Sequence, residues 1–125
     1  MSLLLDTQVL LWCLGSPDRL KRETRKKIEA PDTVVFVSAA SAWEIEMKRA
    51  LGKLKVPAGL EEQLQEKRFT ELPVRVRHVR ALRSLPHLHR DPFDRMLVAQ
   101  AVADNLVLVT ADAKVRAYPA RTLPA

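Results

Sequence analysis

Apolar residues recur along this chain in short continuous runs, and segments with helical periodicity lie between these runs. The runs at 3–5, 33–37 and 106–109 lack the alternation of apolar and polar positions that a half-exposed strand shows. They therefore indicate strands that are buried on both faces. Because the segments between them have helical spacing, the pattern predicts a parallel sheet covered by helices on both faces, which is an α/β sandwich.

Start and stop signals for helices divide the segments between the runs. Ser16-Pro17 and Asp91-Pro92 each place a capping residue before a proline, the combination that opens helices. The predicted helices cover 7–14, 16 or 17 to 30, 38 or 41 to 51, 60–69, 76–85 and 92–103, followed by a short helix after 112. Two further short strands are predicted at 71–74 and near 121–123, with 53–59 as a connector.

The helix that begins at Pro92 is the most apolar of the predicted helices. Every residue from Met96 to Ala103 except Gln100 is apolar, so we expect this helix to lie deep in the core. Asp91 and Asp94 lie three positions apart at its start, where their side chains share a face and their charges repel each other. Helix capping by itself accounts for both acids, because the helix N-terminus carries partial positive charge.

Length and composition predict one globular domain that spans residues 1–125. The chain is 47% hydrophobic and 29% charged, and its net charge of +6 favours an anionic partner such as nucleic acid. A soluble protein with a merely basic surface would have the same charge. We expect a cytoplasmic protein without a membrane segment, because Cys13 is the one cysteine, no signal peptide is evident and no apolar run approaches the ~20 residues of a membrane helix.

Acidic residues follow the predicted strands at the edge where open parallel sheets form their binding crevice. Asp6 follows the first strand, Glu44 lies in the first turns after the second, and Asp112 closely follows the strand at 106–109. Asp94 opens the core helix at the same edge. Carboxylates crowded against apolar walls raise one another's pKa and destabilise the fold unless a cation binds. Oxygen ligands without a nearby cysteine suit Mg²⁺ or Mn²⁺.

Each of these acids also has a purely structural interpretation, which the sequence leaves open. Asp6 can cap the following helix, Glu44 can pair with Lys48 or complete a capping box with Ser41, and Asp112 can serve in a turn. Thr110 and Thr7 can each supply a hydroxyl contact near the site or a turn hydrogen bond; we favour the site contact for Thr110 and interpret Thr7 as a turn residue. Arg90, Arg95 and Lys48 are candidates for contacts with phosphates or, equally, for salt bridges with the neighbouring acids.

Four motifs together resemble the successive motifs of the PIN-domain ribonucleases, specifically the bacterial VapC-like toxins. They are Leu5-Asp6-Thr7, Ser38-x-x-Ser41-x-Trp43-Glu44, His89-Arg90-Asp91-Pro92-Phe93-Asp94-Arg95 with the helix that follows, and Val109-Thr110-x-Asp112. The resemblance covers nearly the whole chain. It implies a PIN-like three-layer α/β/α sandwich with a short central parallel sheet, Mg²⁺-dependent cleavage of RNA, a homodimer and a cognate antitoxin. It also implies a catalytic metal cluster of Asp6, Glu44, Asp94 and Asp112, with Asp91 as an additional acid.

Three other interpretations are weighed against this one. His87-x-His89-x-Asp91 has the spacing of a zinc site, but its histidines lie in a proline-interrupted loop without further ligands. A phosphate-accepting receiver domain should carry paired acids after the first strand, where only Asp6 is present. A catalytically silent domain that binds RNA or protein remains the alternative function. Trp12, Trp43 and Phe69 are also candidates for a partner surface, because one core does not readily hold all three.

Overall fold

Five parallel strands form one sheet in the computed structural model, which describes residues 1–56 and 59–125. The strands are β1 (Ser2–Leu5), β2 (Val34–Ser38), β3 (Thr70–Leu72), β4 (Val107–Thr110) and β5 (Thr122–Pro124). Their order across the sheet is β3-β2-β1-β4-β5. Each predicted strand is present within a residue or two of its expected limits. For β1, β2 and β4 the signal was a continuous apolar run, which is typical of buried parallel strands.

Strand β1 lies at the centre of the sheet and pairs with β2 on one side and β4 on the other. Leu4 is opposite both Phe36 and Leu108, and the backbone N–H of Asp6 donates to Val109 O at 3.0 Å. The chain builds outward from β1 first through β2 and β3, then on the other side through β4 and β5. The reversal between β1 and β4 is a topological switch point, where an open sheet forms a crevice beyond its carboxyl ends.

Helices cover both faces of the sheet. They are α1 (Thr7–Gly15), α2 (Arg22–Glu29), α3 (Ala39–Ala50), α4 (Leu60–Glu66), α5 (Val76–Ala81), α6 (Pro92–Ala103) and α7 (Ala113–Arg116), with 3₁₀ turns at Pro17–Arg19 and Leu82–Ser84. Leu3 and Leu5 pack with α1, α2 and α3 in one apolar cluster, and Leu4 packs with α6 and α7 in another. Alternate residues of β1 thus face opposite layers, which confirms the predicted three-layer α/β/α sandwich.

Helix α6 is buried as its composition predicts. Leu97, Val98, Ala99 and Ala101 are at most 2% exposed, and the amide nitrogen of Gln100 donates to Pro73 O at 3.2 Å. The one polar residue of the run is therefore used to join α6 to the segment after β3. No helix among the described residues combines the length and the apolar character that crossing a bilayer requires.

Several predicted helix limits are wrong, and local backbone geometry explains them. The single helix expected from Ser16 or Pro17 to Ala30 is broken at Leu20, whose extended backbone carries its side chain into the first apolar cluster. The helix expected to reach Phe69 ends at Glu66, because Arg68 adopts a positive φ of 59° and turns the chain into β3. The helix expected over 76–85 tightens to a 3₁₀ turn after Ala81. Part of the predicted connector, residues 57–58, lies outside the described residues.

We predict that Leu4→Ala lowers the free energy of unfolding by about 2–5 kcal/mol, because it leaves a cavity between the sheet and α6. Leu4 is 0% exposed. Val102→Ala on the outer side of α6 serves as the control and should change stability by less than about 0.5 kcal/mol. Urea unfolding of both variants measures the difference. Equal stability of the two variants would contradict the position assigned to β1.

Candidate active site

A cleft of about 710 Å³ lies at the carboxyl edge of the sheet, beside the switch point. We call it the acidic cleft. Its lining includes all five acids expected from the sequence: Asp6, Glu44, Asp91, Asp94 and Asp112. Four separate elements supply them, since β1, α3, the start of α6 and the turn after β4 all end or begin at this edge. The fold therefore brings together residues that are up to 106 positions apart in the chain.

Asp6 occupies the floor of the acidic cleft and is only 6% exposed. Its Oδ1 accepts a hydrogen bond from Val9 N at 2.8 Å, so Asp6 does cap α1. Burial raises the pKa of Asp6, hydrogen bonds from Thr110 and the Val9 N–H oppose the increase, and the charges of Asp112 and Glu44 add to it. Thr110, which was expected near the site, thus contacts a site carboxylate directly. Capping and membership of the acidic cluster coexist because the cap hydrogen bond engages one oxygen.

Glu44 is held by hydrogen bonds to both of its carboxylate oxygens and is 4% exposed. The hydroxyl of Thr7 donates to Oε1 at 2.7 Å, and Lys48 Nζ donates to Oε2 at 2.6 Å. The interpretation of Thr7 as a turn residue is therefore wrong. The proposed capping box with Ser41 is also wrong, because Ser38 caps α3 and Ser41 lies within the helix, 3.0 Å from the Thr7 hydroxyl. The predicted pairing with Lys48 is confirmed, and this hydrogen bond raises the pKa of Lys48.

Asp91 and Asp94 have different roles at the start of α6. Asp91 Oδ1 accepts from Phe93 N at 2.8 Å and from Asp94 N at 3.3 Å, so Asp91 is the predicted N-cap. Asp94 faces the other acids. Burial raises the pKa of Asp94 to about 7, with further increases from the charges of Asp91, Asp6 and Glu44 and a partial offset from His89.

His89 enters the acidic cluster, a role that the sequence analysis did not assign to it. Its Nε2 lies 3.1 Å from Asp94 Oδ2 and 3.2 Å from Asp112 Oδ2. Its Nδ1 accepts a hydrogen bond from Asp91 N at 3.1 Å, which assigns the ring proton to Nε2. The imidazole N–H therefore lies between two carboxylates. The signal available in the sequence was the position of His89 two residues before a helix cap, where a short loop folds back over the helix start.

Asp112 differs from the buried acids because it is more exposed to solvent and better supplied with donors. Burial alone would raise its pKa, but hydrogen bonds from Lys114 N and His89 outweigh that effect and lower the pKa. Its Oδ1 accepts from Lys114 N at 2.8 Å, so it caps α7, while Oδ2 faces His89. The turn interpretation and the site interpretation are again compatible, since the two oxygens have different partners.

The zinc site considered from His87-x-His89-x-Asp91 does not form. His87 is exposed and lines a neighbouring cleft, and Asp91 Oδ1 is engaged in capping. The group that does form is His89, Asp94 and Asp112, with one potential ligand atom from each residue and all three atoms within 4.8 Å of one another. Together with the nearby carboxylates of Asp6 and Glu44, this donor set is rich in oxygen and carries excess negative charge. It fits a divalent cation.

Basic residues near the acidic cleft fall into two groups. Lys48, Arg19 and Lys53 line the cleft itself. Arg95 does not, because its Nη1 donates to Pro86 O at 2.8 Å and to the hydroxyl of Tyr118 at 2.9 Å. The salt bridge between Arg95 and a neighbouring acid that the sequence left open is therefore not formed.

The chain belongs to the PIN domain family, since the PIN domain model matches residues 3–120. Among solved structures it is similar to a chain of VapBC2 from Rickettsia felis bound to a DNA fragment from their promoter, with a TM-score of 0.71, 19% identity and coverage of 99% of this chain and 98% of that chain. It is also similar to FitAcB from Neisseria gonorrhoeae, with a TM-score of 0.52, 18% identity and coverage of 90% and 89%. At these identities the likeness shows the fold alone. No curated protein sequence matches the chain.

We predict that the metal-free protein becomes less stable as the pH rises from about 5 to 8. The folded-state pKa of Asp94 is raised to about 7, above its ordinary value, so the folded chain retains a proton that the unfolded chain has released. This contribution is complete below about pH 4, the pKa of the unfolded side chain, and is lost as the pH rises through about 7.

Thermal unfolding in chelator at a series of pH values measures this effect. Asp94→Asn should flatten the decline in melting temperature, leaving the smaller part that comes from the raised pKa of Asp6. Asp32→Asn, at an exposed loop acid, should retain the full decline. A decline of equal steepness in all three proteins would rule out Asp94 as its source.

Proposed function

We propose that this chain, as one PIN domain over residues 1–125, is a metal-dependent endoribonuclease and the toxin of a type II toxin–antitoxin module. The observation that carries the proposal is the convergence of five acids at the switch point of a PIN fold, with the pKa of Asp94 raised to about 7. Carboxylates this close together raise one another's pKa, and a bound divalent cation would compensate their charge. PIN domains are generally nucleases, and RNA is the substrate to which the sequence motifs point.

Asp6, Glu44, Asp94 and Asp112 are proposed to hold Mg²⁺, or Mn²⁺ in its place, with Asp91 as an outer acid. A divalent cation bound there would polarise the phosphodiester and lower the pKa of the attacking water. It would also make the approach of an anionic substrate to a carboxylate cluster favourable. Both cations suit a set of ligands that is mostly carboxylate oxygen.

The other residues of the acidic cleft orient these carboxylates. Thr110 and the Val9 N–H direct Asp6, and Thr7 and Lys48 direct the two oxygens of Glu44. His89 holds a proton at Nε2 between Asp94 and Asp112 and so keeps them close together. Such hydrogen bonds from surrounding residues reduce the reorganisation that binding a cation or substrate requires.

A catalytically silent PIN-like domain that binds RNA or protein is the alternative function. One observation favours it: both oxygens of Glu44 are already engaged, by Thr7 and Lys48, and His89 already bridges Asp94 and Asp112. These contacts satisfy part of the cluster without a cation. Among the described residues, however, no lysine or arginine forms a salt bridge with Asp6, Asp91 or Asp94, although they line one cleft with Glu44 and Asp112, which is why we prefer the metal-dependent enzyme.

We expect Asp94→Asn to reduce cleavage of structured RNA by more than about 100-fold, because the variant loses a metal-binding charge at a rigid helix start. Asp91→Asn should be milder, since asparagine caps a helix about as well as aspartate. Cleavage assays with Mg²⁺, and with chelator in its place, measure both effects. Asp32→Asn is the control variant and should cleave like the parent.

Metal binding is measured separately by thermal unfolding in Mn²⁺ or Mg²⁺. A cation present at 100 times its Kd should add about 2.7 kcal/mol to the stability of the parent and much less to that of Asp94→Asn. If Asp94→Asn cleaves as fast as the parent, or if chelator leaves cleavage intact, the acids are not the catalytic centre. The silent binding domain would then be the better description.

A cognate antitoxin and a second copy of this chain are the proposed partners. The fold likeness to a chain of the Rickettsia felis VapBC2 structure supports the antitoxin. For self-association the relevant surface is an apolar stripe along α3 and its C-cap, made of Trp43, Met47 and Leu51, which are 67%, 39% and 61% exposed. Residues four apart on a helix form one continuous surface, and a stripe of this kind is typical of interfaces. Of the three aromatic candidates, Trp12 and Phe69 instead pack against the first apolar cluster.

Trp43→Glu is expected to convert the dimer into a monomer, because it places a charge at the centre of the apolar stripe. Val76→Glu, at a position on α5 that is 76% exposed, is the matched control and should leave the dimer intact. Size exclusion with light scattering gives the mass of each protein. A monomeric parent, or a dimer that survives Trp43→Glu, would contradict this interface. Co-expression with a small protein encoded by a neighbouring gene, followed by size exclusion, tests the antitoxin independently.

A further inference from the structure

A second cleft, of about 800 Å³, opens beside the acidic cleft and has the opposite charge. Its basic lining residues include His87, Arg90, Arg95 and Lys114, and Leu88 and Pro92 add apolar surface. The described residues that line it include no acid. We call it the basic cleft. A cleft that combines cations with exposed apolar surface suits a single nucleic-acid strand, in which phosphates and bases alternate.

His89 connects the two clefts. His89 lines the basic cleft, and its Nε2 lies 3.1 Å from Asp94 and 3.2 Å from Asp112, two acids that line the acidic cleft. The two clefts therefore lie close together at His89. A nucleic-acid strand bound in the basic cleft would reach the acidic cluster without leaving the protein surface.

Two cations of the basic cleft remain available to a ligand. Arg90 and Lys114 are exposed, and within the described part of the chain neither forms a salt bridge, although Lys114 acts on Asp112 at longer range. Lys114 lies two positions after Asp112. The backbone N–H of Lys114 donates to Asp112 Oδ1, and the ammonium group remains exposed to solvent.

The loop that carries the basic residues is held in place by Tyr118, which is 3% exposed. The Tyr118 hydroxyl accepts hydrogen bonds from Leu88 N at 3.2 Å, His89 N at 2.9 Å and Arg95 Nη1 at 2.9 Å. The Arg95 guanidinium also lies 5.9 Å from the centre of the Tyr118 ring. The basic cleft is thus preformed, and binding a strand would require little ordering of the loop.

We propose that the basic cleft binds single-stranded RNA next to the bond that the acidic cleft cleaves. Phosphates would lie against Arg90 and Lys114, and a base or ribose against Leu88. The proposal rests on the proposed function, because it identifies where the substrate strand continues beyond the reacting phosphate. Charge complementarity and the shared wall at His89 are the observations that carry it.

The test compares Arg90→Gln/Lys114→Gln with Lys26→Gln/Lys27→Gln, a control that removes the same charge from exposed positions on α2. Both pairs are placed in an Asp94→Asn background with chelator, so that RNA is not cut during the measurement. Fluorescence anisotropy with a short labelled single-stranded RNA gives the affinity at several salt concentrations. Each lost phosphate contact should reduce the slope of log affinity against log salt by about 0.7.

We expect the basic-cleft pair to bind about tenfold more weakly or worse, with a slope reduced by the equivalent of two contacts, and the α2 pair to bind like its background protein. Melting temperatures should be unchanged, because both pairs replace exposed side chains. Unchanged affinity of the basic-cleft pair, or equal losses in both pairs, would overturn the proposal. Normal RNA binding with loss of the antitoxin complex would also overturn it, because the cleft would then be a protein-binding surface.

A second measurement separates this proposal from the proposed function. With Asp94 restored and Mg²⁺ present, the basic-cleft pair should cleave long RNA with a higher KM than the parent, and the α2 pair should cleave it as the parent does. If the parent cleaves no RNA and the basic-cleft pair still loses RNA binding, the nuclease proposal is refuted and the RNA-binding surface is supported. Normal binding and cleavage by the basic-cleft pair, with an active parent, would refute the RNA surface alone.

Discussion

Electrostatic repulsion among the carboxylates at one edge of the sheet is the constraint around which this structure is arranged. Burial raises the pKa values of both Asp6 and Asp94, and their acidic neighbours raise them further. Compensating donors come from three directions: Thr110 and the start of α1 toward Asp6, Lys48 toward Glu44, and His89 toward Asp94 and Asp112. Each donor stabilises a carboxylate by hydrogen bonding, and a divalent cation would add the positive charge that only Lys48 supplies among these donors.

The sheet order explains why the carboxylates meet at all. Because β1 lies between β2 and β4, the segments after β1 and β4 leave the sheet side by side, and Asp6 and Asp112 lie in those two segments. Helix α6 begins at the same edge and contributes Asp94 from its first turn. The apolar clusters above and below β1 hold these elements in position. Apolar burial elsewhere in the fold therefore offsets the unfavourable free energy of crowding these carboxylates together.

The two clefts suggest a division of tasks between acids and cations. The acidic cleft collects oxygen ligands, whereas the basic cleft collects side chains that suit phosphates, and His89 contacts both. Opposite charges placed side by side would ordinarily form salt bridges. Here Tyr118 retains Arg95 on its own side, and Asp112 bonds to the backbone of Lys114 instead of its ammonium group. The separation keeps two clefts of opposite charge distinct on a small domain.

The sequence alone determined the layer architecture, the parallel sheet and four of the acids at its edge, because continuous apolar runs, capping residues before proline and strand-end acids are local signals with direct physical causes. It did not determine where helices break. The helix breaks at Leu20 because the Leu20 side chain packs into the first apolar cluster with residues of α1, and that cluster exists only in the folded chain.

Tertiary structure alone decided the partners of the site side chains. Nothing local to Thr7 indicates that its hydroxyl reaches Glu44, 37 residues away, and nothing local to His89 indicates that it lies between Asp94 and Asp112. A side chain's hydrogen-bond partner depends on which elements the fold brings within about 3 Å of it. Sequence patterns identify the elements and the residues at their ends, and packing determines which of those residues meet.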